Sequence, residues 1–238
     1  MKIKIPIPGI ILITEYSQFE IAMAFMRLQE FYECSDIKRQ GKFFTLEEVV
    51  ENYAQNGPTG KFSYLDDWMA FNVPGSVVDE FRKMYKHDLS ARETALMLAI
   101  DRTLAQEENA TCEGKYYVIG SCSEIYEDHE ICHGMWGLYP EYRADAVRII
   151  KKFTKTQKSA VIKMLKDMGY ADNVLEDEFN AYVSTSDMYY IRESVFEHFE
   201  EKGNSKWNWD KVYLLVKNYW EWKNELAIDE DNQEIKLK

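Results

Sequence analysis

Apolar residues recur at intervals of three and four along most of the chain and resemble strands in only two places. Residues 3–14 are rich in β-branched side chains and broken by Pro6 and Pro8, which predicts an early strand. Phe19, Met23, Met26 and Phe31 share a helical face and predict a helix over 19–33. Two capping boxes mark further helix starts. In Thr45-Leu-Glu-Glu48 and Ser90-Ala-Arg-Glu93 a hydroxyl and a carboxylate each satisfy an amide that the first turn leaves over. The first of these helices should stop at Asn56-Gly57-Pro58, and the second should run to about residue 108. The second strand-like stretch is Lys115-Tyr-Tyr-Val-Ile-Gly120. From Ser123 onward helices are expected at about 123–137, 141–153, 156–168, 172–184, 187–202 and 207–226, with an acidic tail that frays from Asp229. The fold class read from this pattern is α+β, α-rich with a small sheet. With no internal repeat and no Pro/Gly/Ser linker, residues 1–238 read as a single domain. Its core is expected at about 90–184, with C-terminal helices at about 187–226 docked on it.

Composition narrows the function. The 238 residues are 46% hydrophobic and 14% aromatic, which excludes a disordered chain and suits a real core. Acidic residues outnumber basic ones 41 to 29, a net charge of -12 that repels a nucleic-acid backbone and makes nucleic acid an unfavoured partner. The one basic run, Arg148 to Lys152 and on through Lys155, Lys158, Lys163 and Lys166, has helical spacing and reads as a solvated face. No apolar run is long enough for a bilayer, and the N-terminal apolar stretch is short and lacks a small-residue cleavage site. The four cysteines (Cys34, Cys112, Cys122, Cys132) form no C-x-x-C pair and read as reduced thiols. A soluble, cytoplasmic protein that does not engage a membrane is the expectation.

The chemistry concentrates in His129-Glu130-Ile131-Cys132-His133, an H-E-x-x-H sequence. Residues four apart on a helix share a face, so His129 and His133 can offer two imidazoles to one ion. Glu130 projects beside them, where it can take a proton from a water on that ion. Zinc suits such a site, because neutral imidazole binds it well and its water ligand has a pKa near ~7. With four histidines in the chain, chance would produce the motif on the order of once in a hundred such sequences. The strand at 115–120 also feeds directly into the helix that carries it. The competing account is a helix with two ordinary histidines, one packed against Trp136, and the acidic Glu127 and Asp128 fit that account. A zinc site needs a third protein ligand. Trp136 and Tyr139 stand where the metzincin extension requires Gly and His, so that class is excluded. A glutamate on a later helix remains, and Leu175-Glu-Asp-Glu-Phe-Asn-Ala-Tyr-Val183 is the best segment.

With these residues the chain resembles the small glutamate-type zincins of the ImmA/IrrE kind over about 115–184. In that family H-E-x-x-H is followed by a Glu-x-Asn-x-Phe/Tyr pattern whose Glu is the third ligand, which here falls on Glu178, Asn180 and Tyr182. Glu178 lies 45 residues after His133, a long separation for the family that an extra helix at about 156–168 would fill. The resemblance implies a zincin-like core and Zn2+ held by His129, His133 and Glu178. It implies Glu130 as general base and a peptide or amide-containing substrate. Tyr182, like Tyr139 and Tyr142, could donate to an oxyanion or simply pack in the core. Glu176 is the fallback ligand. The structural account of Glu176, Asp177 and Glu178 is an acidic first turn favoured by the helix dipole, with Asp172 as its N-cap.

Two other readings stand beside the zinc hydrolase. Phe25-Met-Arg-Leu-Gln-Glu-Phe-Tyr-Glu33 and Asp67-Trp-Met-Ala-Phe-Asn-Val-Pro74 are similar to segments of phage-type proteins, some grouped as amino-acid:DNA transferases. That likeness suggests a DNA- or nucleotide-modifying amino-acid transferase. Arg27, Gln29, Glu30 and Glu33 could then line a pocket, although solvated helix-face polars are the plainer expectation. The third reading is a non-catalytic interaction protein on a zincin scaffold, with a protein partner. The aromatic C-terminal helix (Trp207, Trp209, Trp220, Trp222) is expected to dock through Tyr213, Val216 and Trp220. His198 and His87 read as packing or surface residues.

Overall fold

Residues 2–14 form a hairpin rather than one long strand. Strands β1 (Lys2–Ile7) and β2 (Ile10–Thr14) pair antiparallel, and the chain reverses at Pro8-Gly9, where Gly9 takes a positive φ of 83°. In a computed structural model, residues 1–15, 17–34, 39–56, 60–186, 209–228 and 234–235 are described. The helix expected at 187–202, with His198 and Trp207, lies outside them. The architecture is α+β and α-rich with a small mixed sheet.

The chain divides into two compact units, Met1–Glu130 with Ile228–Lys238 and then Ile131–Ala227. The division falls between two consecutive residues of the H-E-x-x-H helix and not in a linker. In the first unit the order of elements after the hairpin is α1 (Gln18–Glu33), α2 (Leu46–Asn56), α3 (Tyr64–Asp67), β3 (Ala70–Pro74), α4 (Gly75–Met84), α5 (Ala91–Gln106) and β4 (Tyr117–Ser121). A two-residue β5 (Glu234–Ile235) adds to the edge, giving the order β3-β4-β2-β1-β5. β2 and β4 run parallel, and β3 pairs antiparallel with β4. β4 is buried at every position, as a central strand read by its continuous apolar run should be. Ile11, Ile13, Phe71, Val73 and Val118 share a core with Phe25 of α1 and Leu96 of α5.

Gly120 permits that packing. A Cβ at this position would meet the Phe25 ring at 2.6 Å, so no larger residue lets the helix approach the strand. β3 and α4 were not anticipated; β3 lies in the aromatic-polar stretch that read only as a likeness. Both capping boxes form. Thr45 exchanges hydrogen bonds with Glu48, and Ser90 with Glu93.

Arg27 and Gln29 correct the expectation of solvated polars, because both are buried. Arg27 donates to both oxygens of Glu93 (2.8 and 2.6 Å) and to Asp88, and it lies over the Tyr85 ring. One guanidinium thus joins α1 to the capped end of α5.

The second unit is helical. Helix α6 (Glu127–Leu138) enters it, followed by α7 (Pro140–Ile150), α8 (Lys155–Asp167), α9 (Leu175–Thr185) and α10 (Trp209–Leu226). Phe153, Val161, Leu165, Phe179, Val183, Val212 and Leu215 form its core, with Phe153 and Phe179 edge to face at 5.2 Å. α10 docks as expected but one residue out of register. Val212, Leu215 and Tyr219 are buried, while Tyr213 and Trp220 face solvent. Asp172 does not cap α9. It is exposed and pairs with Lys166, and the cap position belongs to Val174. Among the described residues no helix is long and apolar enough to cross a membrane.

Candidate metal centre

The H-E-x-x-H helix starts where its neighbours place it. β4 ends at Ser121, a 3-10 turn over Glu124–Tyr126 is capped by the Ser123 hydroxyl, and α6 follows at once. The residues facing α9 on α6 are Cys132 and His133. Asn180 of α9 donates to Cys132 Sγ at 3.0 Å and to Tyr142 Oη of α7 at 2.9 Å. Its own Oδ1 accepts from Ser184 at 3.3 Å. All three partners are buried, so this network fixes the register of α9 against α6 and α7. Burial, with the Cys132 thiol beside it, pushes the Tyr142 hydroxyl well above the usual tyrosine range. The hydroxyl stays neutral and is engaged by Cys132 and Asn180.

With α9 so placed, its preceding turn meets His133. Glu178 Oε1 lies 3.6 Å from His133 Nε2, and Asp177 Oδ1 lies 3.0 Å from His133 Nδ1. His129, one turn back on α6, completes a group with His133 and Glu178 in which one donor atom of each lies within 4.8 Å of the others. His133 is 3% exposed and Glu178 8%.

This donor set fits zinc. Two imidazole nitrogens and one carboxylate oxygen make up a common three-ligand shell that keeps a fourth position open. Donors about 2.0–2.2 Å from one ion at a tetrahedral angle sit roughly 3.3–3.6 Å apart, a range that reaches the observed His133–Glu178 separation of 3.6 Å. Asp177 Oδ1 comes close to the far ring nitrogen without the alignment of a hydrogen bond, and it and Glu178 Oε2 are buried oxygens that no hydrogen-bond donor reaches among the described residues.

Glu130 is buried, and its Oε2 accepts from Asn72 Nδ2 of β3 at 2.7 Å. The Tyr182 hydroxyl lies 3.0 Å from that of Tyr170, and its ring is edge-on to the same residue. Glu176, the fallback ligand, is exposed and lies outside the cluster. Trp136 packs against the helical core and Tyr139 is buried at the start of α7. His87 is exposed. All four cysteines are free thiols.

Two residues of the centre were not legible in the sequence. Asp177 read only as part of an acidic first turn, and the Glu-Asp-Glu order alone does not say which carboxylate faces a histidine. Asn72 lies 58 residues before Glu130, and no local pattern connects them. No family model, curated protein or solved structure matches the chain.

Proposed function

We propose that the protein is a zinc-dependent hydrolase of peptide or related amide bonds, working in the cytoplasm. The observation that carries this reading is the gathering of His129, His133 and Glu178, drawn from two separate helices, into one cluster. Chance surface acids do not bring a buried carboxylate to a buried imidazole, because stripping both of water is unfavourable without a shared partner.

His129, His133 and Glu178 hold the ion. Bound zinc supplies a Lewis acid that polarises the scissile carbonyl and eases loss of a proton from water. Asp177 sets a negative charge against the other nitrogen of the His133 ring, which favours a ring that gives electron density to the ion. Glu130 accepts a proton from the attacking water as the water oxygen bonds to the carbonyl carbon. It returns that proton to the nitrogen as the C–N bond breaks, which leaves a carboxylic acid and an amine.

The test is elemental analysis joined to one catalytic variant. Protein purified without chelators should carry one equivalent of zinc, and His129→Ala should carry none. Glu130→Gln should keep its zinc and lose cleavage of a mixed peptide library. Wild-type protein that binds no metal would sink the proposal.

A further inference from the structure

A general base serves only if its carboxylate is held still, and Glu130 is held from outside its own helix. Asn72 sits in the middle of β3, where its Cα pairs with Ile119 of β4. Its neighbours Phe71 and Val73 point into the core of the first unit, so strand alternation turns Asn72 to the opposite face. There its Nδ2 donates to Glu130 Oε2 at 2.7 Å. Its Oδ1 accepts from Tyr117 Oη, also at 2.7 Å. A carboxamide can be turned end for end, and the wrong way round it would set an oxygen against the carboxylate. The Tyr117 hydroxyl selects the productive orientation, and both residues stand on adjacent paired strands.

We propose that Asn72, oriented by Tyr117, is a positioning residue that holds one oxygen of Glu130 and so fixes the carboxylate that serves as the general base. The assignment rests on the zinc-hydrolase reading. It adds a strand-borne amide to a site whose other groups lie on helices, and it explains a polar residue on an otherwise apolar strand. Truncating Asn72 frees the carboxylate to rotate without removing any metal ligand, so zinc content and base function should separate.

The experiment uses full-length zinc-loaded protein and acetohydroxamate, a small amide mimic that chelates zinc and gives its proton to a nearby carboxylate. Calorimetric titration of wild type, Asn72→Ala, Glu130→Gln and the double variant forms a cycle. Asn72→Ala should weaken acetohydroxamate about tenfold at unchanged zinc content. In the Glu130→Gln background the same change should have no further effect. Tyr117→Phe removes one hydroxyl and should weaken binding roughly threefold, again only when Glu130 is present. It also covers the case in which Asn72→Ala fails to fold. Equal losses in both backgrounds, or no loss in either single variant, would show a merely structural strut and overturn the assignment while the hydrolase reading stands. A wild type without zinc overturns both.

Discussion

At the scale of single residues, the two nitrogens of the His133 ring meet different carboxylates. Nε2 looks toward Glu178 and Nδ1 toward Asp177, so adjacent residues of one helical turn approach opposite ring nitrogens. The chemical identity of His129, Glu130 and His133 was legible from spacing alone, because four residues make about one helical turn whatever surrounds the helix. Glu178 was legible only through resemblance, and Asp177 not at all, since which of three neighbouring acids meets an imidazole depends on how α9 is rotated. That rotation is fixed by Asn180, Cys132 and Tyr142. A direct consequence concerns affinity. Asp177→Ala keeps all three proposed ligands but removes the carboxylate beside the far nitrogen of one of them, so zinc should bind about 10-fold more weakly, the low end of the range for such outer partners. Competition against a fluorescent chelator measures it. An affinity equal to wild type would reduce Asp177 to an ordinary acidic residue of the first turn.

At the scale of elements, local signals specified starts better than partners. The capping boxes at Thr45 and Ser90 were readable because each closes within four residues. The same Glu93 also receives a buried guanidinium from α1, 66 residues earlier, and nothing in either helix announces that pairing. Arg27 lies on a face of α1 whose flanking residues Phe25, Met26 and Leu28 are also buried, so the helix is enclosed more widely than its polar residues suggested. α10 shows a related difficulty. Aromatic residues at Tyr213 and Trp220 look like a docking face by size, but Val212, Leu215 and Tyr219 fill the core. Aromatic bulk is a weaker guide than burial when tryptophan and tyrosine occur on several sides of one helix. The Arg27 pairing carries a stability prediction. Arg27→Ala strands the buried Glu93 carboxylate and should destabilise the protein by about 3–5 kcal/mol, as removal of one partner from a buried ion pair does. Urea unfolding measures the loss. A change below about 1 kcal/mol would mean that water reaches Glu93 readily.

For the whole molecule, the spacing of apolar residues pointed correctly to an α-rich protein with a small sheet. It could not reveal β3, which is short, follows a four-residue helix and carries an asparagine in the middle of its apolar run. That asparagine breaks the expected pattern at the position where it reaches Glu130, so the weakest strand signal coincides with the contact proposed to position the general base. Zinc should also act on the molecule as a thermodynamic ligand. Its proposed ligands on α6 and α9 converge only in the folded chain, and His133 and Glu178 are 45 residues apart in the sequence. Metal at a hundred times its dissociation constant therefore stabilises the folded form by about 2.7 kcal/mol, provided the unfolded chain binds weakly. In a chain of this length each kcal/mol moves the unfolding midpoint by roughly 2–4 °C, so chelation should lower the wild-type midpoint by roughly 5–10 °C. Glu130→Gln should show the same drop, since Glu130 donates nothing to the ion. His129→Ala should unfold at one temperature with or without chelator. A zinc-dependent midpoint that survives in His129→Ala would place the metal elsewhere on the chain, because the loss of one of three ligands cannot leave a linkage of that size intact.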